Sequence, residues 1–346
     1  MSTACSTRPR ANGARRRPGP RAPDVAEFAL IESIRSRCAV VRDDVRLGIG
    51  DDAALLAVPS GNLLAVSTDT LVCGVHFLAD TRPSDIGWKA LAVNLSDLAA
   101  MGAEPAWATL ALTLPSADAR WVDEFADGFA QLARKHRVAL VGGDTTQGPL
   151  SITVTVHGFV PPGAALTRAG AQVGDGVYAT GTLGDAAAGL KLFLPPLAGE
   201  GAEGGKGQLL VRLHRPIPRI AQGLILRGRA TSCIDVSDGL VADLGHICAA
   251  SGVGAEIDAD TLPASPALGA AFAAEDRRAF QLAGGDDYEL CFTAPDAIAP
   301  TLQRELADSG CAATRIGRVV DGAGVQVRDA SGNPLALPHA GWEHFA

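Results

Sequence analysis

After Asp24 the chain alternates short apolar strand patterns with helical ones. That order predicts an α/β protein of two domains, residues 24–161 and 162–346. Composition agrees: 40 glycines with only 5% aromatic residues imply many tight strand–loop junctions. The length of 346 residues, 47% hydrophobic and 20% charged, is enough for two buried cores.

The elements are taken in chain order. Residues 28–37 read as a short helix and 62–67 as a buried strand. A helix follows over 84–101, with Ser84 as its expected N-cap and Gly102 just past its end. Residues 107–114 alternate like a strand, 117–135 form an amphipathic helix, and 138–141 and 151–160 are strands. Pro161-Pro162-Gly163 marks the domain boundary. Beyond it come a strand at 176–180, a glycine-rich loop and a helix from about Ala186. Residues 195–207 hold two prolines and five glycines, so they read as an exposed excursion. A strand at 232–236, a helix after Asp238, a helix over 266–283 and a strand at 288–293 complete the pattern. No fixed-period repeat is present.

Charge excludes some partners. The net charge of −8 conceals a head, residues 1–23, with six arginines and no acid; those six taken from 30 basic residues leave 24 against 38 acidic ones. Such an acidic body does not suit nucleic acid. The head has no apolar stretch behind it, so it reads as a disordered Arg-rich extension rather than a secretory signal. Seven scattered cysteines without a Cys-x-x-Cys pair argue against zinc or a disulfide framework and fit a reducing cytoplasm. The longest uncharged stretch, 147–167, contains three prolines and alternates Ile152, Val154 and Val156. It is a strand with turns rather than a membrane span.

The chemistry lies in isolated aspartates. Asp97 sits in the otherwise nearly apolar helix around Ala90-Leu91-Ala92-Val93-Asn94-Leu95-Ser96-Asp97, and a buried carboxylate is costly unless it meets a cation. Asp52 follows Gly48-Ile49-Gly50-Asp51; Asp69 ends Ser67-Thr68-Asp69; Asp144 ends Gly142-Gly143-Asp144; Asp235 opens Asp235-Val236-Ser237-Asp238. Strand ends in α/β folds are where loops aim side chains at ligands. Carboxylate and hydroxyl oxygens are hard ligands suited to Mg²⁺, which keeps waters and shares itself with phosphates. Each aspartate alone also reads as a turn or helix cap. Thr180-Gly181-Thr182-Leu183-Gly184-Asp185 could offer backbone N–H groups to an anion, or be a plain structural turn. Arg168 is a candidate phosphate grip or an ordinary surface arginine, and His76 a candidate site residue or a structural one. A P-loop and the protein-kinase signature set are both missing.

Together these stretches resemble the thiamine-monophosphate kinases, of the superfamily that includes aminoimidazole ribonucleotide synthetase and selenophosphate synthetase. The resemblance runs from Glu27 to Phe345 and leaves out the Arg-rich head. It implies a two-domain fold of mixed sheets packed with helices. It also implies a cytoplasmic homodimer with the metal and nucleotide sites in the N-terminal domain. The implied reaction is transfer of the γ-phosphoryl group of ATP to thiamine monophosphate; because the attacking phosphate is already anionic, direct in-line attack assisted by Mg²⁺, with no catalytic side chain, is the expected route. Carried onto this chain, the metal ligands are Asp52, Ser67, Thr68, Asp69, Asp97, Asp144, Asp235 and Asp238. The nucleotide contacts are Gly143, Asp144, Arg168 and Ser237. The substrate contacts are His76, Asp286 and Phe345. One departure stands out: Asp286, in Gly284-Gly285-Asp286-Asp287-Tyr288-Glu289-Leu290, replaces a family glutamate with a side chain one methylene shorter. The alternatives are another ATP-using enzyme of the superfamily, or a binding module without catalysis. Cys5 and Cys38 lack the glycine-rich setting that selenophosphate synthetases give their reactive residue.

Overall fold

A computed structural model describes residues 27–193, 206–336, 339 and 341–342. The Arg-rich head, most of the expected excursion at 195–207, and Phe345 lie outside them. The N-terminal half begins with α1 (Glu27–Arg37), β1 (Val45–Leu47), β2 (Leu55–Leu56) and β3 (Leu63–Val72). It continues with α2 (Pro83–Ala100), β4 (Glu104–Leu114), α3 (Ala119–Lys135), β5 (Ala139–Gln147) and β6 (Ser151–Val160). The C-terminal half opens with β7 (Gly176–Thr180), α4 (Asp185–Phe193), α5 (Lys206–His214), α6 (Ile220–Leu226), β8 (Ser232–Asp235) and α7 (Leu240–Ser251). It closes with β9 (Gly254–Asp258), α8 (Pro266–Ala271), α9 (Ala274–Ala283), β10 (Leu290–Ala294), α10 (Ala299–Asp308), β11 (Ala313–Val320) and β12 (Gly324–Arg328).

Both large sheets are mixed, as the resemblance implies. The first has order β3-β6-β4-β5, with only β4 and β5 parallel. The second has order β12-β9-β11-β7-β10-β8, with only β12 and β9 parallel. α2 and α3 cover one face of the first sheet and approach each other closely. A side chain at Gly87 would meet the Phe125 carbonyl oxygen at 2.0 Å, and one at Gly128 the Ser84 carbonyl oxygen at 1.8 Å.

α2 is buried on nearly every side, as expected of a helix that is apolar all round. One face packs on β3 and β6 and another on α6 and β8, so a single core runs through α2 from Leu91 and Leu95 to Tyr178 and Phe292. The segment after α5 clasps it: Trp88 donates Nε1–H to the Pro216 carbonyl at 2.8 Å, and Arg215 pairs with Asp85 while lying over the Trp88 ring. A second core under α7 collects Val177, Ile234, Leu240, Leu244, Ile257 and Ile316.

Several boundaries differ from the sequence expectation. α2 starts one residue early because Pro83, pre-set for the first helical turn, takes that position after Arg82; Ser84 is inside the helix and caps nothing. The helix expected over 266–283 is two, since Phe272 and Ala273 are extended. β5 runs on through Gly142-Gly143-Asp144 to Gln147 instead of stopping at 141, because β4 continues beside it and supplies partners.

Candidate active site

β3 alternates strictly. Ala65, Ser67, Asp69 and Leu71 are the more protected positions and face α2, while Leu64, Val66, Thr68, Thr70 and Val72 are exposed on the opposite, outward face. Across from the inward side stand β8 and the segment 284–288. Between them is a cleft of about 500 Å³, lined among others by Asp69, His76, Asp97, Asp235, Asp238 and Asp286. A contiguous pocket of about 260 Å³ shares Asp97 and Asp235 and adds Ser67 and Arg168.

Residues distant in sequence thus converge. Asp97 Oδ2 accepts the Ser67 hydroxyl at 2.5 Å. Asn94, fully buried one turn earlier on α2, accepts the Asp69 backbone N–H at 3.0 Å and donates to the Ala90 carbonyl at 3.0 Å. That amide locks the β3 backbone at the position that aims Asp69 inward. Burial, and then the neighbouring Asp97, push the Asp69 carboxyl up to about 7. Burial and Asp97 likewise push Asp235 up to about 8. Asp97 itself is raised by burial, against the lowering pull of Ser67, Asp69 and Arg168. Desolvated carboxylates crowded together are short of positive charge.

Their oxygens fit a hard divalent cation. Among the described residues no group of three Asp, Glu, His or Cys side chains closes on one point.

Other expected ligands stand apart. Asp144 pairs across β4 with Ala111, which pairs with Thr153 on β6 and that with Thr70 on β3. This row lies on the outward face, where Thr70 and Thr153 share a hydroxyl hydrogen bond at 2.8 Å and Thr68 and Thr155 another at 2.9 Å. Three strand spacings of about 4.8 Å put Asp144 roughly 14 Å from Thr70. Asp52 is exposed in the β1–β2 connection. That hairpin packs through Val45 and Leu56 on Trp107, Val141 and Phe159, also on the outward side. Within one chain, then, Asp69, Asp97, Asp235 and Asp238 share the inward cleft, which Thr68 also lines although its hydroxyl pairs with Thr155 on the outward side, whereas Asp52, Gly143 and Asp144 lie outside it. Ser237 lines the cleft.

The glycine-rich turn before α4 is a structural turn and offers no open anion cradle. Gly181 N–H donates to the Ala312 carbonyl and Leu183 N–H to that of Pro263. Gly184 N–H donates to Asp287 Oδ2 at 2.6 Å and Ala186 N–H to Oδ1 at 3.4 Å. Burial pushes Asp287 up to about 8 against those donors. The turn before α7 is filled in the same way: Ser237, Asp238 and Gly239 all donate backbone N–H to Asp243 Oδ2, at 3.0 to 3.1 Å.

Sequence reasoning missed Lys89, Asn94, Asp243, Asp287 and Tyr288. Lys89 carried the same signal as Asp97, a lone charge in an apolar helix; the others became legible only through their partners.

Comparison with known proteins agrees with this geometry. Family models for the AIR synthase related protein match here, the N-terminal domain over residues 50–160 and the C-terminal domain over 172–330. The chain is 51% identical over 323 residues to a thiamine-monophosphate kinase of Escherichia coli K12, covering 92% of this chain and 98% of that one. A crystal structure of a thiamine-monophosphate kinase from Stenotrophomonas maltophilia superposes with a TM-score of 0.82 at 52% identity, covering 90% of this chain and 98% of that one. A structure of AaThiL complexed with AMPPCP and TMP superposes with a TM-score of 0.71 at 34% identity, over 92% and 97% of the two chains. The chain belongs to the thiamine-monophosphate kinase family, phosphotransferases built on the two-domain AIR synthase-related fold.

Proposed function

We propose that this chain transfers the γ-phosphoryl group of ATP to thiamine monophosphate, giving thiamine diphosphate and ADP, with Mg²⁺ required. The observation that carries this reading is the inward cleft itself. Half-buried Asp69 and Asp97 and buried Asp235 crowd its centre, Arg168 stands at one end and His76 at the other. Relatives named for the reaction, and a relative complexed with AMPPCP and TMP, support it.

Ser67, Asp69, Asp97, Asp235 and Asp238 would hold magnesium on the inward side, with Asp52, Thr68 and Asp144 on the outward one. Magnesium, when bound, neutralises phosphate charge as it develops in the transition state. Arg168 and the Ser237 hydroxyl orient the nucleotide, with Gly143 and Asp144 at the sheet edge. His76 accepts the Val72 N–H at Nδ1, at 3.0 Å, which fixes the ring that faces the thiamine phosphate in this reading. Asp286 completes the thiamine end, and the family resemblance adds Phe345, outside the described residues, as an aromatic substrate contact. The attacking oxygen belongs to a phosphate already anionic at neutral pH, so no side chain needs to remove a proton. That oxygen bonds to the γ-phosphorus in line as the bond to ADP breaks.

The outward face carries exposed Leu64, Val66 and Val72 beside the threonine pairs. We place a second copy of the chain there. A homodimer through this face brings Asp144 and Asp52 against a partner, where they can serve a nucleotide held between the two copies. Among the described residues six cysteines are free and no helix is long and apolar enough to cross a membrane; a reducing cytoplasm is the compartment we assign.

The test is ADP release with thiamine monophosphate, with thiamine and with aminoimidazole-pathway substrates, each with and without Mg²⁺. ADP should form only with thiamine monophosphate and Mg²⁺ together. Binding of both ligands without ADP would leave a binding module, and a trapped phospho-enzyme would rule out direct transfer.

A further inference from the structure

We propose that Lys89 is the positioning residue of the thiamine-phosphate end of the cleft, one buried ammonium that sets the separation of the His76 loop and the Asp286 loop. This rests on the substrate reading above, which puts His76 and Asp286 against thiamine monophosphate.

Lys89 lies on α2 with its side chain 3% exposed. Its Nζ donates to the His76 backbone carbonyl at 3.1 Å and to Asp286 Oδ2 at 2.9 Å. The first acceptor is 13 residues away in sequence and the second 197, so a single cation joins the two halves of the chain across the cleft. His76 and Asp286 line the cleft, with Lys89 behind them. The ammonium therefore acts through those residues. A buried ammonium that loses its acceptors is costly. Neither loop can swing away without leaving that charge unsatisfied.

Asp286 needs such an anchor. Its φ is +69° and that of Tyr288 is +52°, left-handed conformations that non-glycine residues keep only when their surroundings impose them. From the backbone, Asp286 N–H donates to the Ser237 carbonyl and Tyr288 N–H to that of Val236, both at 2.8 Å. From the side chain, Tyr288 Oη–H donates to Asp286 Oδ1 at 3.0 Å and Lys89 holds Oδ2. The short aspartate side chain is thereby held in one place, and with 33% of its surface open it retains lone pairs for a ligand donor. On the other side, the His76 carbonyl that Lys89 grips fixes the loop whose ring is oriented by the Val72 N–H.

Two measurements test this on the full-length protein. In steady-state kinetics Lys89→Met should raise the apparent KM for thiamine monophosphate roughly tenfold while that for ATP stays within about twofold. Combining it with Asp286→Asn should add little to the larger single effect, because both remove one contact. In amide hydrogen exchange of the ligand-free protein, Lys89→Gln should speed exchange in residues 74–78 and 284–288 together. Equal rises in both KM values, multiplying effects in the double variant, or faster exchange in only one segment would overturn the proposal. Should both Lys89 variants fail to fold, Asp286→Asn alone decides: it must speed exchange at 74–78 across the cleft, and unchanged exchange there overturns the proposal. Absence of thiamine-phosphate-dependent ADP formation in the unaltered protein would sink the substrate reading instead, and the exchange experiment still judges the loop coupling.

Discussion

The Ser67 hydroxyl donates to Asp97 Oδ2 at 2.5 Å, joining the middle of β3 to the last turns of α2. The same few ångströms hold Asp69, whose carboxyl is pushed up to about 7 by burial and by Asp97. Asp97→Asn relieves this crowding. Turnover should fall by about 10²–10³-fold, as when a charge-stabilising group leaves a site. The ion-free protein should nonetheless melt higher than the parent, by a few degrees on the order of 2–4 °C. A calorimetric scan without divalent ions checks it; a lower melting temperature would mean the carboxylates are not in conflict.

Asp287 fills the N-terminal turn of α4 through the Gly184 and Ala186 N–H groups. Ala186, Ala187 and Leu190 of that helix line the cleft. Asp287→Ala removes a cap and should destabilise by about 1–2 kcal/mol. Denaturant unfolding measures the loss, and an unchanged midpoint would show that the turn holds itself.

His136 follows α3, with Nε2 buried and without a hydrogen-bond partner among the described residues. Burial, and then Lys135, hold its pKa down to about 4. The sign follows from proton counting: below about 6.5 the unfolded chain takes up a proton that the folded one refuses. Stability contributed by His136 is present above that pH and is lost as the pH falls toward 4. The loss should be on the order of 2 kcal/mol, less than the full shift implies because solvent reaches part of the ring. His136→Gln should flatten the stability curve over this window in urea titrations at stepped pH.

Val66 is 55% exposed on the outward face of the edge strand β3. Val66→Lys should turn the dimer proposed through this face into a monomer in light scattering after gel filtration, with activity falling alongside. A fully active monomer would show that Asp144 is not needed from across an interface.

Much of this architecture was legible in local patterns. α1, α3, β6 and β7 follow from hydrophobic periodicity, and Asp118, which caps α3 by accepting the Trp121 N–H, has the residue type that such a position favours. Asp69, Asp97 and Asp235 were visible as lone charges closing apolar runs. Lys89 was equally visible, yet nothing local says which carbonyl or carboxylate an ammonium will reach. Asp287 and Asp243 were hidden for a related reason: their partners are backbone N–H groups, which carry no residue type.

The amino-acid sequence by itself determined the fold class, the family and the acidic residue set, because apolar periodicity and isolated charges are properties of neighbours along the chain. Only the tertiary structure decided the side on which each carboxylate stands. On β3 simple alternation sends Asp69 inward, but the β4–β5 register slips by one residue, Ala108 pairing with Leu140 and Thr109 with Gly142. That extra residue, Val141, turns everything after it to the other face. Without it Asp144 would stand on the same face of the sheet as Asp69, though three strand spacings away; with it, Asp144 faces outward. A single unpaired residue in a strand, settled by packing against Trp107 and Phe159, thus divides one acidic set between two faces of a sheet.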